Sequence, residues 1–277
     1  MPQTVEGPMP EPGDIEPRAT RRAIYLLPNL LTTGTLFAGF YGIVASIDGN
    51  YEPACIAIFV AALLDGMDGR LARLTKTESE FGKQYDSLAD MVAFGMAPAI
   101  IVYLWGLKSL AGYGWAWGKL GWLAAFLYAV AAALRLARFN VASKTADRRF
   151  FEGLPSPSAA GLVASMVWLA SELEVSGLAA LAGSTVITVA AGALMVSQFA
   201  YYSFKEFGPR GRISFAYVFV IPLIFVLIAI DPPRVCFAIA TLYALSGVVN
   251  GIWRRQRRHG TRQGRHEPDH PGHGLGP

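Results

Sequence analysis

Residues 23–47 contain no charged side chain, and four further stretches share this property: 153–171, 175–204, 213–230 and 235–253. Each is close to the ~20 apolar residues that a helix needs to cross the hydrocarbon core of a bilayer. In that medium every backbone N–H and C=O has to be satisfied within the segment, so runs of this length are expected to be helical. Composition agrees, with 53% hydrophobic and 16% charged residues, against about 25% charged in soluble domains. The chain is therefore expected to be an all-α integral membrane protein.

Three shorter runs, 53–64, 91–107 and 120–134, reach spanning length only if their helices continue into neighbouring charges. Those charges are Asp65 and Asp68, Asp86 and Asp90, and Arg135 and Arg138. Including them predicts a bundle of about eight transmembrane helices with both termini cytoplasmic, a multi-pass protein of the cell (inner) membrane. In that arrangement all of the 24 Lys and Arg except Lys108, Lys119 and Arg234 face the cytoplasm, as the positive-inside rule requires. An odd number of spans would break the pattern.

Residues 1–22 are expected to form a disordered N-terminal arm, 23–253 the membrane domain, and 254–277 a basic disordered tail. The tail segment "RRQRRHGTRQGR" supplies much of the net charge of +4; it suits an anionic lipid surface, and no nucleic-acid partner is expected. All four histidines lie in this tail, so proton transfer within the membrane domain falls to carboxylates, Lys or Tyr. Cys55 and Cys236 both lie in predicted spans, which argues against a disulfide scaffold.

The stretch "LLDGMDGRLARLTKTESEFGKQYDSLADMVAFG" interrupts this apolar pattern. Asp65, Asp68, Gly69 and Ala72 are spaced i, i+3, i+4, i+7, with Arg73 at i+8, and so share one helical stripe. Gly82, Asp86 and Asp90 are spaced i, i+4, i+8 and form another. The connection "LTKTESEF" is short enough for an antiparallel pair, so the two carboxylate faces can meet at the cytoplasmic end of two helices. An aspartate at a bilayer centre costs about 2.5–3.5 kcal/mol, and two carboxylates ~4 Å apart repel by about 4 kcal/mol at an effective dielectric of 20. Four together need cations or protons.

A salt-bridge network with Arg70, Arg73, Lys76 and Lys83 would meet that need but leaves Gly69, Ala72 and Gly82 unexplained. These small residues permit close approach of another helix or of a flat ligand. An all-oxygen donor set without soft ligands suits Mg²⁺ or Mn²⁺, ions that commonly serve phosphoryl chemistry.

The full pattern, Asp65-x-x-Asp68-Gly69-x-x-Ala72-Arg73, eight residues, then Gly82-x-x-x-Asp86-x-x-x-Asp90, resembles the signature of the CDP-alcohol phosphotransferases. "LPNLLTTGTLFAGF" (27–40), "YDSLADMVAFGMAPA" (85–99), "LRLARFN" (134–140), "FEGLPSPSAAG" (151–161) and "SFK" (203–205) resemble the branch of that family that makes phosphatidylserine. The resemblance covers roughly residues 24–250, with Thr35 standing where that branch has Asn.

The resemblance implies transfer of a phosphatidyl group from CDP-diacylglycerol to L-serine, with release of CMP and with two Mg²⁺ or Mn²⁺ ions. It implies Asp65, Asp68 and Asp86 as metal ligands, and Asp90 as shared ligand and general base. Asp65, Gly69, Ala72, Arg73 and Gly82 would cradle the nucleotide with Asn29 and Thr32, and the protein would form a homodimer in contact with membrane lipids. Serine brings its own carboxylate, for which Arg135 and Arg138, with Asn140 just beyond, offer guanidinium and amide donors. Lys144 and Lys205 are alternatives that would grip phosphate. Glycerol 3-phosphate, inositol or choline as acceptor, an intramembrane prenyltransferase, and an ion or proton transporter are the competing readings.

Overall fold

The computed structural model describes residues 18–75, 79–142, 151–201, 222–223 and 226–263. Helices α1 (Arg18–Ile47) and α2 (Tyr51–Thr75) form a hairpin. Its turn places Gly49 at φ +80°, a conformation that glycine adopts without strain. Ser79 caps α3 (Glu80–Asp90), its Oγ accepting from Gly82 N at 3.0 Å, as a serine preceding a helix is suited to do. The chain continues through a π-helical turn (Met91–Met96), α4 (Ala97–Trp105) and a 3₁₀ segment (Leu107–Tyr113). Helices α5 (Trp115–Ala142), α6 (Ser156–Glu172), α7 (Leu178–Val196) and α8 (Pro232–Gln263) follow.

Two-residue strands β1 (Phe151–Glu152) and β2 (Ala200–Tyr201) pair antiparallel, with Phe151 opposite Tyr201. This pairing, with the hydrogen bond from Leu154 N to Leu194 O at 2.9 Å, ties the entrance of α6 to the exit of α7.

Among the described residues, five helical stretches are long and apolar enough to cross a membrane: Leu27–Ile47, Glu80–Tyr113, Trp115–Val141, Leu178–Val196 and Pro232–Gly251. They are not the five longest charge-free runs of the sequence. The runs at 91–107 and 120–134 gain length by extending into charged residues, as expected. Helix α2 is absent from the five because Glu52 at one end and Asp65, Asp68, Arg70 and Arg73 at the other leave a short uncharged stretch. Helix α6 is absent because it has 17 residues. Most of the run at 213–230 lies outside the described residues.

Helix α1 already begins at Arg18, inside the predicted arm, and α8 continues to Gln263, through the first part of the predicted tail. Arg and Gln are good helix formers, and an apolar helix already nucleated extends through them at little cost.

Helix α6 is the centre of the bundle. It packs against α2, α4, α7 and α8, and every residue from Ala159 to Trp168 is buried. Its Ala, Gly and Ser residues let neighbouring helices come close on all sides, whereas a helix exposed on one flank would need only one such face. Small residues also set the approach of α1. A Cβ on Gly39 would lie 2.6 Å from Ala93 Cα, and one on Gly42 would lie 3.2 Å from Ala54 O.

Candidate active site

The two predicted stripes meet. One carboxylate oxygen from each of Asp65, Asp68 and Asp86 lies within 4.8 Å of the other two. At that separation each pair of charges repels by about 3.5 kcal/mol at an effective dielectric of 20. Asp68 is buried, and Thr32 Oγ1 on α1 donates to its Oδ2 at 2.9 Å. Thr33 Oγ1 and Tyr85 Oη lie 2.9 Å apart, which links α1 to α3 as well.

Asp90 stands one turn further into α3 and is outside that three-residue group. Its electrostatic neighbours are Asp65, Asp86, Asp68 and Arg135, and its Oδ1 is buried without a hydrogen-bond partner. Three converging carboxylates and a fourth with an orphaned buried oxygen form a hard, all-oxygen donor set that fits a divalent cation of the Mg²⁺ or Mn²⁺ type.

The predicted nucleotide residues flank this cluster. Gly69 faces open space, for a Cβ there would meet nothing within 4 Å, which favours ligand room over helix packing as the reason for the glycine. Gly82 lies across from Asn29, whose Oδ1 would be 3.4 Å from a Cβ at Gly82. Ala72 is half-buried and Arg73 is exposed in the last turn of α2. Thr32 supports Asp68 directly, a role that its place in "LPNLLTTG" did not reveal. Thr35 is buried, and its Oγ1 donates to Leu31 O at 3.3 Å on its own helix.

The structure separates the predicted acceptor residues. Arg135 is half-buried and its Nη1 donates to Ser156 Oγ at the start of α6. Its Nε is buried and has no hydrogen-bond partner. Arg138, three residues on, is exposed. Asn140 Nδ2 donates to Ser87 Oγ at 2.9 Å, and Ser87 donates to Lys83 O at 3.1 Å, so this amide braces α5 against α3. Lys144 and Lys205 lie outside the described residues.

Ser156, Ser87 and Tyr128 were not foreseen. Tyr128 is fully buried and its hydroxyl donates to Phe94 O at 3.1 Å, within the π-helical turn that begins directly after Asp90. Turns of this kind often occur at functional sites.

A carboxylate cluster fit for a divalent cation, set where α2 and α3 meet in a chain with several membrane-spanning candidates, suits phosphoryl chemistry at a membrane. Residues 25–197 match the model of the CDP-alcohol phosphatidyltransferases, and the chain belongs to that family. It is 35% identical over 236 residues to a CDP-diacylglycerol–serine O-phosphatidyltransferase of Helicobacter pylori, covering 83% of this chain and 92% of the relative. A protein of the same name from Mycobacterium leprae is 39% identical over 162 residues, 56% of this chain and 51% of the relative. An archaetidylserine synthase of Methanothermobacter thermautotrophicus is 34% identical over 177 residues, 63% of this chain and 69% of the relative.

Proposed function

We propose that this chain transfers the phosphatidyl group of CDP-diacylglycerol to L-serine, forming phosphatidylserine and CMP. The observation that carries the reading is the meeting of Asp65, Asp68 and Asp86, with Asp90 and Arg135 carrying unpaired buried atoms beside it. The names of its relatives support serine as the acceptor.

Asp65, Asp68 and Asp86, with Asp90 shared, would hold two Mg²⁺ or Mn²⁺ ions, which when bound neutralise phosphate oxygens and favour in-line displacement. The serine hydroxyl is a weak nucleophile at neutral pH and needs a base within hydrogen-bond reach. Asp90 takes its proton as the serine oxygen bonds to the phosphorus nearer the diacylglycerol. The bond from that phosphorus to the CMP oxygen breaks, and CMP leaves with the negative charge. Arg73 offsets that charge, while Gly69, Ala72, Gly82 and Asn29 shape the nucleotide's seat. Thr32 keeps the Asp68 carboxylate turned into the site. Arg135 receives the serine carboxylate.

The eight-helix bundle with both termini and the site on the cytoplasmic side of the cell membrane belongs to the same proposal. It is supported by the Lys and Arg distribution and by the need of the reaction for lipid on one side and water-soluble serine and CMP on the other. A homodimer is proposed from family resemblance.

The test is CMP release from CDP-diacylglycerol by the purified chain with Mg²⁺ or Mn²⁺ and a panel of alcohols. Of serine, glycerol 3-phosphate, inositol and choline, serine alone is expected to support turnover. Release driven by glycerol 3-phosphate, inositol or choline instead would overturn the choice of acceptor, and release with none of them would overturn the reaction.

A further inference from the structure

Arg135 lies on α5, and its electrostatic neighbours are Asp90, Tyr243, Asp65 and Tyr128. A guanidinium has two bidentate faces, the end formed by Nη1 and Nη2 and the side formed by Nε and Nη2. Ser156 Oγ engages Nη1, which is the nitrogen remote from the Nε–H. The side face does not involve that nitrogen. Nε on that side is buried with no partner, and an unpaired donor of a charged group taken out of water is costly. Asp90, an electrostatic neighbour of Arg135, has a buried oxygen in the same condition.

Two neighbouring unpaired groups of opposite sign suit one molecule that carries a hydroxyl for the carboxylate and an anionic group for the guanidinium. Carboxylate pairs with the side of a guanidinium through two parallel hydrogen bonds.

Ser156 is completely buried and its position is fixed by the backbone. Pro155 precedes it and Pro157 follows, in the first turn of α6, where proline's fixed φ is preorganised for a helix start. Leu154, fully buried, anchors the same segment through its bond to Leu194 O at 2.9 Å. The hydroxyl that holds Arg135 thus stands on a rigid corner of the central helix.

Building on the proposed reaction, we infer that Ser156 is a positioning residue for acceptor selection. It pins the Arg135 guanidinium end so that the Nε and Nη2 side receives the carboxylate of a β-hydroxy amino acid whose hydroxyl lies at Asp90. An acceptor lacking the carboxylate gains nothing from this arrangement.

The test uses the full chain with CDP-diacylglycerol and two acceptors, L-serine and serinol, in which a hydroxymethyl group replaces the carboxylate. Ser156→Ala is expected to raise the KM for serine about tenfold, the order for one lost hydrogen bond to a charged group. The KM for CDP-diacylglycerol should stay within about twofold of wild type, serinol turnover should be unaffected, and Ser156→Thr should restore the serine KM. Arg135→Lys, which keeps the charge and loses the planar fork, should show the same serine-specific defect. Serine-dependent thermal stabilisation of the protein, read without turnover, should weaken in both Ser156→Ala and Arg135→Lys.

An unchanged serine KM in Ser156→Ala, or equal losses with serine, serinol and donor, would overturn the inference and leave Ser156 a structural contact. If Ser156→Ala does not fold, a wild-type serine KM in Arg135→Lys overturns it instead. Wild-type protein that releases CMP with another alcohol and not with serine would refute the proposed acceptor itself, and the inference with it.

Discussion

Replacing Thr32 by Val tests whether α1 contributes to the metal site through a single hydroxyl. Thr32 and Asp68 are both buried, and the hydroxyl lies 2.9 Å from Asp68 Oδ2 and 3.1 Å from Pro28 O of its own helix. A hydroxyl has one proton to give, and the carboxylate is the stronger acceptor because the bond to it is charge-assisted. Valine keeps the shape and branching but has no proton to donate, so Asp68 loses its one side-chain support from α1. Hydrogen bonds to charged groups contribute about 1.5–3 kcal/mol, and losing the outer partner of a metal ligand typically lowers metal affinity 10- to 100-fold. The two estimates overlap. CMP release measured against Mg²⁺ or Mn²⁺ concentration should show the half-saturating metal concentration rising at least tenfold in Thr32→Val, with turnover largely recovered at saturating metal and with Thr32→Ser close to wild type. A variant with an unchanged metal curve and a raised KM for CDP-diacylglycerol would refute the reasoning, placing Thr32 on the nucleotide instead.

Other perturbations separate chemistry, ligand room and packing. Asp90→Asn should lower CMP release by at least about 10²-fold, the usual contribution of a general base, while stabilisation by CDP-diacylglycerol persists; wild-type turnover in this variant would remove Asp90 as the base. Gly69→Leu should leave the unfolding midpoint near wild type, since a Cβ there meets nothing within 4 Å, and should raise the KM for CDP-diacylglycerol; a stability loss without a kinetic one would make Gly69 a packing residue. Gly39→Val should do the opposite, because its Cβ would fall 2.6 Å from Ala93 Cα and overpacking of this kind costs about 1–3 kcal/mol. Thermal unfolding in detergent measures that loss, and an unshifted midpoint would mean that α1 does not pack against the π-helical turn as described.

The helices were legible in the sequence because membrane burial is decided by local composition, and uninterrupted runs at 23–47 and 175–204 contain α1 and α7 almost entirely. Less legible was how each run would be used. Residues 153–171 looked like any other span, yet they supply the buried helix against which α2, α4, α7 and α8 pack. The cue was present in "SPSAAG", whose small side chains suit close neighbours on every side. The π-helical turn after Asp90 had no clear local cue, because it is held from outside. Tyr128 reaches Phe94 O from α5, and Gly95 fits under Ala132, where a Cβ would come within 3.2 Å of its methyl.

The candidate site divides along the same line. Asp65, Asp68 and Asp86 could be placed together because their spacing within each helix fixes a face, and a short connection folds the two faces toward each other. The rest of the candidate site depends on contacts between elements distant in sequence: Thr32 to Asp68, Asn140 to Ser87, and Arg135 to Ser156. Arg135 and Arg138 show why spacing alone falls short. Residues three apart on an α-helix point only about 60° apart, and a positive charge at the cytoplasmic end of a span is favoured whichever way it faces. The sequence therefore presents the two arginines as equivalents. Which one turns inward is decided by α6, since only Arg135 meets the hydroxyl of Ser156 while Arg138 stays exposed. That makes the proline-flanked start of α6, rather than the charge pattern of α5, the element that holds the Arg135 guanidinium, and with it the acceptor's place in the proposed reaction.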